Sequence, residues 1–401
     1  MFSGFFLGSL VGITVAGQLA DRRGLVLPYS LGLGLFAVGL VIGGAAPTMP
    51  VLVVGRVLQG FGAGAIPSIA YSAIGRGVPA RLRPMMFATM STAWVLPGLV
   101  GPAVAAAVEH AWGWRPVFLG LLPVVAVAAA MAVPALRALD ASAPRSPGRL
   151  DGARVVRVLV LVAGVGAVLA AAELDLPVAL VAFAVGLPVA VWAFRILQPR
   201  GTLVLAAGVP ATVAVRGLLT WAFFAGDAYV PLAITDGRGA ATWVAGLALS
   251  GGAVCWTLGA WLQARSIHRV GPRRFVGLGG VVIALGVGVM LAVSTEVLAV
   301  GVAVAAWSAA AFGMGLAYAP LSVTVLGAAR PGEEGAASAA LQLSDTLGIA
   351  VGTGLGGAIV ALGDTRAWTV ATSTSWVFAM ALAMAIAVAL ASRRLPPELP
   401  T

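Results

Sequence analysis

The chain contains no lysine, one cysteine, two histidines and only 9% charged residues in 401 positions. Each shortage closes off a class of protein. Cys255 has no partner for a disulfide, and with His110 and His268 it is too scattered along the chain to suggest a metal site. The longest polar stretch is about twenty residues, too short for a soluble catalytic or signalling domain. With 60% hydrophobic residues and a mean hydropathy of +1.03, the chain has too little polar surface to cover a water-soluble fold.

What is present is long apolar runs. A helix needs ~20 apolar residues to cross ~30 Å of hydrocarbon. Such segments run over 1–20, 28–47, 50–74, 84–108, 115–136, 156–173, 177–197, 207–234, 242–264, 275–293, 297–325, 335–362 and 369–391. The expected fold class is therefore an all-α, polytopic membrane protein with thirteen visible spans. The net charge is +10, and its basic residues are all arginine, dispersed among short gaps rather than gathered on one face, which argues against a nucleic-acid partner.

Alternate gaps hold the arginines: Arg22 and Arg23; Arg76, Arg81 and Arg83; Arg137 through Arg157; Arg195 and Arg200; Arg265 through Arg274; Arg330; Arg393 and Arg394. The intervening gaps hold Glu109, Glu173, Asp175, Asp236, Glu296 and Asp364, with Arg115, Arg238 and Arg366. Arginine-rich loops stay in the cytoplasm, so the carboxyl terminus is expected there, in a multi-pass protein of the inner cell membrane. No basic leader precedes the first apolar run, so a signal peptide is not expected. An odd number of spans would put Met1 outside, and a further helix ahead of it is expected.

The chain also repeats itself. Phe61-Gly62-Ala63-Gly64 returns 251 positions later as Phe312-Gly313-Met314-Gly315. Val78-Pro79-Ala80-Arg81 meets Ala329-Arg330-Pro331-Gly332 at the same offset, and Gly24 meets Gly271 at an offset of 247. Two related helical halves are the parallel repeat of large transporters. The expected parts are an N-terminal bundle over 1–136 lacking its first helix, a cytoplasmic linker over 137–155, two inserted helices over 156–197, a six-helix C-terminal bundle over 207–391 and a cytoplasmic tail over 392–401.

Three motifs occupy the first half. Gly17-Gln18-Leu19-Ala20-Asp21-Arg22-Arg23-Gly24 resembles the signature loop of the major facilitator superfamily, with Leu25 and Val26 where two basic residues usually follow. Gly17, Asp21, Arg22 and Gly24 are its switch candidates. Asp21 suits the positive end of a helix from the other half, and the helix opening near Gly335 is the expected partner. Arg56, Gln59, Gly60 and Ala63 share one helical face and resemble the same superfamily's fourth-helix motif. Two readings stay open for Arg56: a cavity role in proton coupling, or snorkelling to the outer surface. Gln59 is a cavity candidate and Gly60 a packing one.

Pro97-Gly98-Leu99-Val100-Gly101-Pro102 is similar to the fifth-helix motif of the antiporter branch, with Ala105 and Ala106 in place of its following glycines. Gly98, Gly101 and Pro102 would bend the helix and admit a close neighbour, while plain small-residue packing remains the other reading.

With the inserted pair, the pattern is most like the fourteen-span drug/proton antiporters. That resemblance implies two pseudo-symmetric helical bundles around a central cavity. It also implies export of lipophilic or cationic small molecules driven by a proton gradient, with no cofactor.

The deep polar groups lie in the second half. Asp345 is the lone ionisable residue between Gly335 and Leu362, about ten residues or ~15 Å into its span. A buried carboxyl shifts toward its neutral form, which suits proton coupling; a structural hydrogen bond is the alternative. Gln342 lies one turn before it and is a cavity candidate. Arg216 and Asp227 share a face ~16 Å apart and cannot pair directly. Arg216 is a cavity candidate that also has the option of snorkelling, and Asp227 is a second proton-coupling candidate. Trp221, Trp256 and Trp307 are assigned to no site.

The functional expectation is a monomeric, proton-coupled exporter working by alternating access, with a small molecule, protons and the bilayer as its partners. An uptake or exchange carrier for a sugar, metabolite or lipid is the alternative. An enzyme is not expected, since Glu109 beside His110 is an acid–base pair without a supporting cluster.

Overall fold

In lipid every backbone N–H and C=O must find a partner within its own segment, so apolar runs of this length become helices. The computed structural model describes residues 2–141, 150–171 and 174–399, and among them every long element is a helix. In chain order these are α1 Phe2–Arg23, α2 Val26–Ala45, α3 Met49–Gly77, α4 Arg83–Trp112, α5 Arg115–Leu119, α6 Leu122–Asp140, α7 Gly152–Ala170 and α8 Leu176–Leu197. The second part contains α9 Val209–Asp227, α10 Val230–Thr235, α11 Thr242–Val270, α12 Pro272–Ser294, α13 Val302–Gly327, α14 Glu334–Thr365 and α15 Val370–Ala391.

Eleven helical segments among the described residues are long and apolar enough to cross a membrane. α1 and α4, with 22 and 30 residues, are also long enough to cross. Two expected spans are broken: 115–136 divides into α5 and α6, and 207–234 into α9 and α10. In both, proline stands in the first turn of the second piece (Pro123, Pro231), where its missing N–H cannot continue the preceding helix.

The sequence repeat is visible atom by atom. A Cβ at Gly12 of α1 would strike the carbonyl of Phe61 on α3; a Cβ at Gly259 of α11 would strike that of Phe312 on α13. In the reverse direction, Gly64 lies against the Ser9 carbonyl and Gly315 against the Trp256 carbonyl. Each pair maps onto the other through offsets of 247 and 251 positions. Glycine at these crossings lets backbones meet where no hydrophobic force favours one helix over lipid. The α1–α2 and α11–α12 turns match as well, with Gly24 at φ 88° and Gly271 at φ 85°.

The two repeats meet along two seams, α1 against α14 and α4 against α11. α7 and α8 pack on each other and lie over the first seam. Val158, Leu161 and Val165 of α7 share a cluster with Leu10 and Ile13 of α1 and with Ala339 and Leu343 of α14. Two side-chain hydrogen bonds hold this pair at the arginine-rich end. Gln18 accepts from the Asp151 N–H at 2.8 Å, and Gln198 donates to the Ala340 carbonyl at 3.1 Å.

The linker expected over 137–155 is shorter than anticipated, because α6 continues to Asp140 and α7 begins at Gly152. Its positions 142–149 lie outside the described residues. Of the expected tail over 392–401, residues 392–399 are described. Leu395 is fully buried, and Arg273 donates to its carbonyl at 2.8 Å, so the tail packs on the start of α12.

Large side chains at the glycine crossings should separate the helices. Gly64→Leu is expected to destabilise the detergent-solubilised protein by roughly 1–3 kcal/mol or more. The readout is a lower midpoint of thermal unfolding; an unchanged midpoint would mean that α1 and α3 do not approach this closely.

Candidate functional site

Two polar constellations face the region between the repeats. The first lies at the arginine-rich end. Asp21, in the last turn of α1, accepts from the backbone N–H groups of Gly335 at 2.7 Å and Ala336 at 2.8 Å, the opening turn of α14. A helix N-terminus carries unpaired N–H groups and a partial positive charge, so a carboxylate there is stabilised. This is the partner expected from the sequence.

Arg76 of α3 completes the group, with Nη2 3.0 Å from Asp21 Oδ1 and Nε 3.3 Å from Glu334 Oε2. Gly17 is where α1 and α14 touch, since a Cβ there would lie 2.5 Å from the Gly335 carbonyl oxygen. Arg22 donates to Gln18 at 2.9 Å rather than crossing the seam. At Gly24 a Cβ would meet the carboxylate of Asp140, which accepts from the Leu25 and Val26 N–H groups and so caps α2. Asp140 had no signal in the sequence, because its role depends on α6 ending beside α2.

The second constellation is deeper. Asp345 and Arg216 form an ion pair, Nε to Oδ1 at 2.6 Å, with the arginine fully buried. Nothing in the sequence signalled that these two pair, and the option of Arg216 snorkelling is removed. The rest of the guanidinium is also engaged: Nη1 donates to the Tyr318 carbonyl at 2.8 Å and to Ser322 Oγ at 3.2 Å, and Nη2 to the Tyr71 hydroxyl at 3.4 Å. The Tyr318 ring lies 3.1 Å from the guanidinium carbon, and its hydroxyl donates to Asp345 Oδ2 at 3.1 Å. Asp345 is therefore no lone carboxyl in apolar surroundings but half of a compensated pair.

This cluster floors a cavity of about 550 Å³, within the ~300–1,000 Å³ of small-molecule sites. Its walls come from both repeats and are mostly apolar and aromatic, among them Phe6, Phe87, Met90, Phe224, Trp256 and Ile349. Gln342, Asp345, Tyr71 and Tyr318 supply polar lining. Toward the arginine-rich end the way is closed by Ile74 of α3, Val213 of α9, Val323 and Leu326 of α13 and Leu341 of α14, packed in one cluster.

The remaining expected site residues lie elsewhere. Arg56 donates to Gln59 at 3.2 Å and stacks 4.6 Å from the Phe118 ring centroid of α5. Neither Arg56 nor Gln59 lines the cavity, so their expected cavity roles are corrected: their stretch of α3 faces α2 and α5. Gly60 meets the Phe5 backbone as a packing residue should. Asp227 accepts from the Trp307 indole N–H at 3.0 Å and stands apart from Arg216, as its spacing required. At Gly101 an added Cβ would meet nothing within 4 Å among the described residues, so the close neighbour expected there is not found among them. α4 reaches α11 nearer its start, through Ala88 and through Thr92, which accepts from Trp261 at 2.8 Å. The side chains of Gly98 and Pro102 lie outside the described residues.

Tyr71, Tyr318 and Trp256 were missed as site residues. A weak signal existed: the chain has only four tyrosines, and two meet at the Arg216–Asp345 pair.

Comparison with known proteins agrees with this architecture. The family model described as Major Facilitator Superfamily matches residues 1–353. The chain belongs to the Major Facilitator Superfamily. A relative named a probable multidrug-efflux transporter of Mycobacterium tuberculosis is 29% identical over 376 residues, spanning 89% of this chain and 78% of that one. The methylenomycin A resistance protein of Bacillus subtilis is 25% identical over 408 residues, spanning 94% and 84%.

Among solved structures, the human organic anion transporter MFSD10 superposes with a TM-score of 0.67 at 15% identity, covering 96% of this chain and 82% of that one. The proton:xylose symporter XylE gives 0.65 at 16%, covering 96% and 83%. At such identities these two speak for the fold alone. The facilitator architecture makes the chain a multi-pass membrane transporter handling a small molecule.

In this facilitator the Asp21 contacts tie α1 to α14, so their loss should loosen that seam. In a Cys255→Ser background, Ser338→Cys places a thiol at a fully buried position that bonds across the seam to the Ser68 carbonyl. Adding Asp21→Ala is expected to raise its maleimide labelling rate by roughly tenfold or more. Equal rates with and without the Asp21 change would show that the latch bears no load.

Proposed function

We propose that this facilitator is a proton-coupled exporter of lipophilic or cationic small molecules, working by alternating access. The observation that carries the reading is the Arg216–Asp345 pair, set into the floor of an aromatic cavity in the interior of the bundle. A proton arriving at Asp345 neutralises the carboxylate and leaves Arg216 uncompensated, which costs several kcal/mol in so enclosed a place. Rearrangement of the pair then becomes favourable, and loss of the proton on the other side restores it.

Substrate and proton compete for one floor in this scheme, and their exchange drives the two repeats past each other. We place the arginine-rich end in the cytoplasm. The conformation described, with the latch engaged and that end sealed, is then the one in which the cavity is closed to the cytoplasm. The names of the bacterial relatives support export over uptake.

The test uses everted membrane vesicles and ethidium, a lipophilic cation. An inside-acid pH gradient is expected to drive ethidium into vesicles carrying the wild-type protein. Asp345→Asn should reduce that driven accumulation at least ~10-fold, with the protein still present in the membrane by fluorescence of a fused reporter. Undiminished driven accumulation by Asp345→Asn would refute the assignment. Ethidium movement in the opposite direction only would favour an uptake carrier.

A further inference from the structure

We infer that Tyr71 is the positioning residue through which the first repeat senses the charge state of the Arg216–Asp345 pair, an inference that rests on the proton-coupled reading above. The carboxylate and every other partner of the guanidinium belong to the second repeat: Asp345 on α14, Tyr318 and Ser322 on α13. Among the described residues Tyr71 on α3 alone reaches the guanidinium from the first, with Arg216 Nη2 donating to its hydroxyl at 3.4 Å. Tyr71 and Ser322 also occupy equivalent positions of the repeat, 251 residues apart. One guanidinium is therefore gripped by matching positions of the two halves, one on Nη2 and the other on Nη1.

The contact is built rather than incidental. Tyr71 is only 4% exposed, and its ring packs on Phe87 of α4 with centroids 4.9 Å apart. Its ring also belongs to the apolar cluster that seals the arginine-rich end, together with Ile74, Leu326 and Leu341. The hydroxyl thus reads the ion pair while the ring belongs to the seal. Rocking of the repeats separates α3 from α13 and α9, which must break the Tyr71–Arg216 bond. Conversely, an Arg216 released from a protonated Asp345 no longer holds its N–H toward Tyr71, and the seal loses one cross-repeat bond.

The titratable groups facing the pair among the described residues are Tyr318 of α13 and Tyr71 of α3. α4 presents Phe87 and Met90, and α1 presents Ser9 and Ile13, none of which titrates in the physiological range. The next charge along α3, Arg76, is already bound to Asp21 and Glu334.

A bond that couples the repeats should govern the ratio of driven to undriven transport rather than the rate alone. The readout is ethidium movement in everted vesicles with an inside-acid gradient divided by that without one. Tyr71→Phe keeps the ring and its packing on Phe87, and is expected to bring the ratio down to roughly 1. Tyr71→His, whose ring nitrogen can accept from Arg216, is expected to keep more than half of the wild-type ratio.

A wild-type ratio in Tyr71→Phe overturns the inference, as does a Tyr71→His ratio as low as that of Tyr71→Phe. Asp345→Asn, run alongside, distinguishes the levels. If it keeps a wild-type ratio, the proton-coupled reading itself fails; if it loses the ratio and Tyr71→Phe does not, only the role of Tyr71 falls. Should Tyr71→Phe not accumulate in the membrane, Phe87→Leu, which frees the tilt of the Tyr71 ring, is expected to lower the ratio part-way, and an unchanged ratio there overturns the inference.

Discussion

The arrangement of the second repeat turns on one ion pair. A fully buried arginine is tolerable only if its nitrogens are hydrogen-bonded and its charge is answered, and Arg216 meets both conditions, each of its three nitrogens finding a partner on α13, α14 or α3. The pair fixes the rotation of α9 and α14 relative to one another: Gly348 sits against the Gly217 carbonyl, and Thr220 donates to the Asp345 carbonyl at 3.0 Å. Small residues around the charges permit that approach, so packing and electrostatics require the same geometry. Because the pair's partners come from α3, α9, α13 and α14, a change in either charge is felt across the helices that hold it.

The two seams between repeats are equivalent by duplication but differ in chemistry. At α1–α14, Asp21 binds the N-terminus of α14, and Arg76 and Glu334 reinforce it. The repeat position of Asp21 is His268, whose Nε2 lies 3.3 Å from the Arg81 carbonyl just before α4. The glycine turn is kept while the carboxylate is lost. Thus one seam is closed by charge against a helix end and the other by a weaker, exposed contact together with the small apolar faces of Ala88, Ala260 and Ala264. The inserted pair α7–α8 covers the charged seam alone, so the duplication supplies symmetry of position and not of strength.

Much of the fold is legible in the sequence, because the bilayer imposes strong rules. Apolar length dictates helices, and the offset of Phe61-Gly62-Ala63-Gly64 to Phe312-Gly313-Met314-Gly315 dictates the repeat. The Asp21 partner was also legible, since a carboxylate next to a tight glycine turn has few uses besides a helix end. The breaks at α5–α6 and α9–α10 were hidden inside apolar runs where a proline in a first turn leaves hydropathy unchanged. Arg56 misled because hydropathy gives depth without rotation: the same residue at the same height serves a cavity or a ring such as Phe118, depending on the face it presents.

The sequence by itself determined that the chain is built of long apolar helices, which gaps carry arginine, that the chain is duplicated, and that Asp345 is the lone ionisable residue of its span. Each of these depends on composition along a line, which the bilayer reads one segment at a time. Tertiary structure alone decided that Asp345 and Arg216, 129 residues apart, share one bond. It also decided that Tyr71 reaches them from the other repeat and that Asp140 caps α2. Those pairings depend on how helices rotate about their axes when small residues let them touch, and no single segment specifies that rotation until its neighbours are in place.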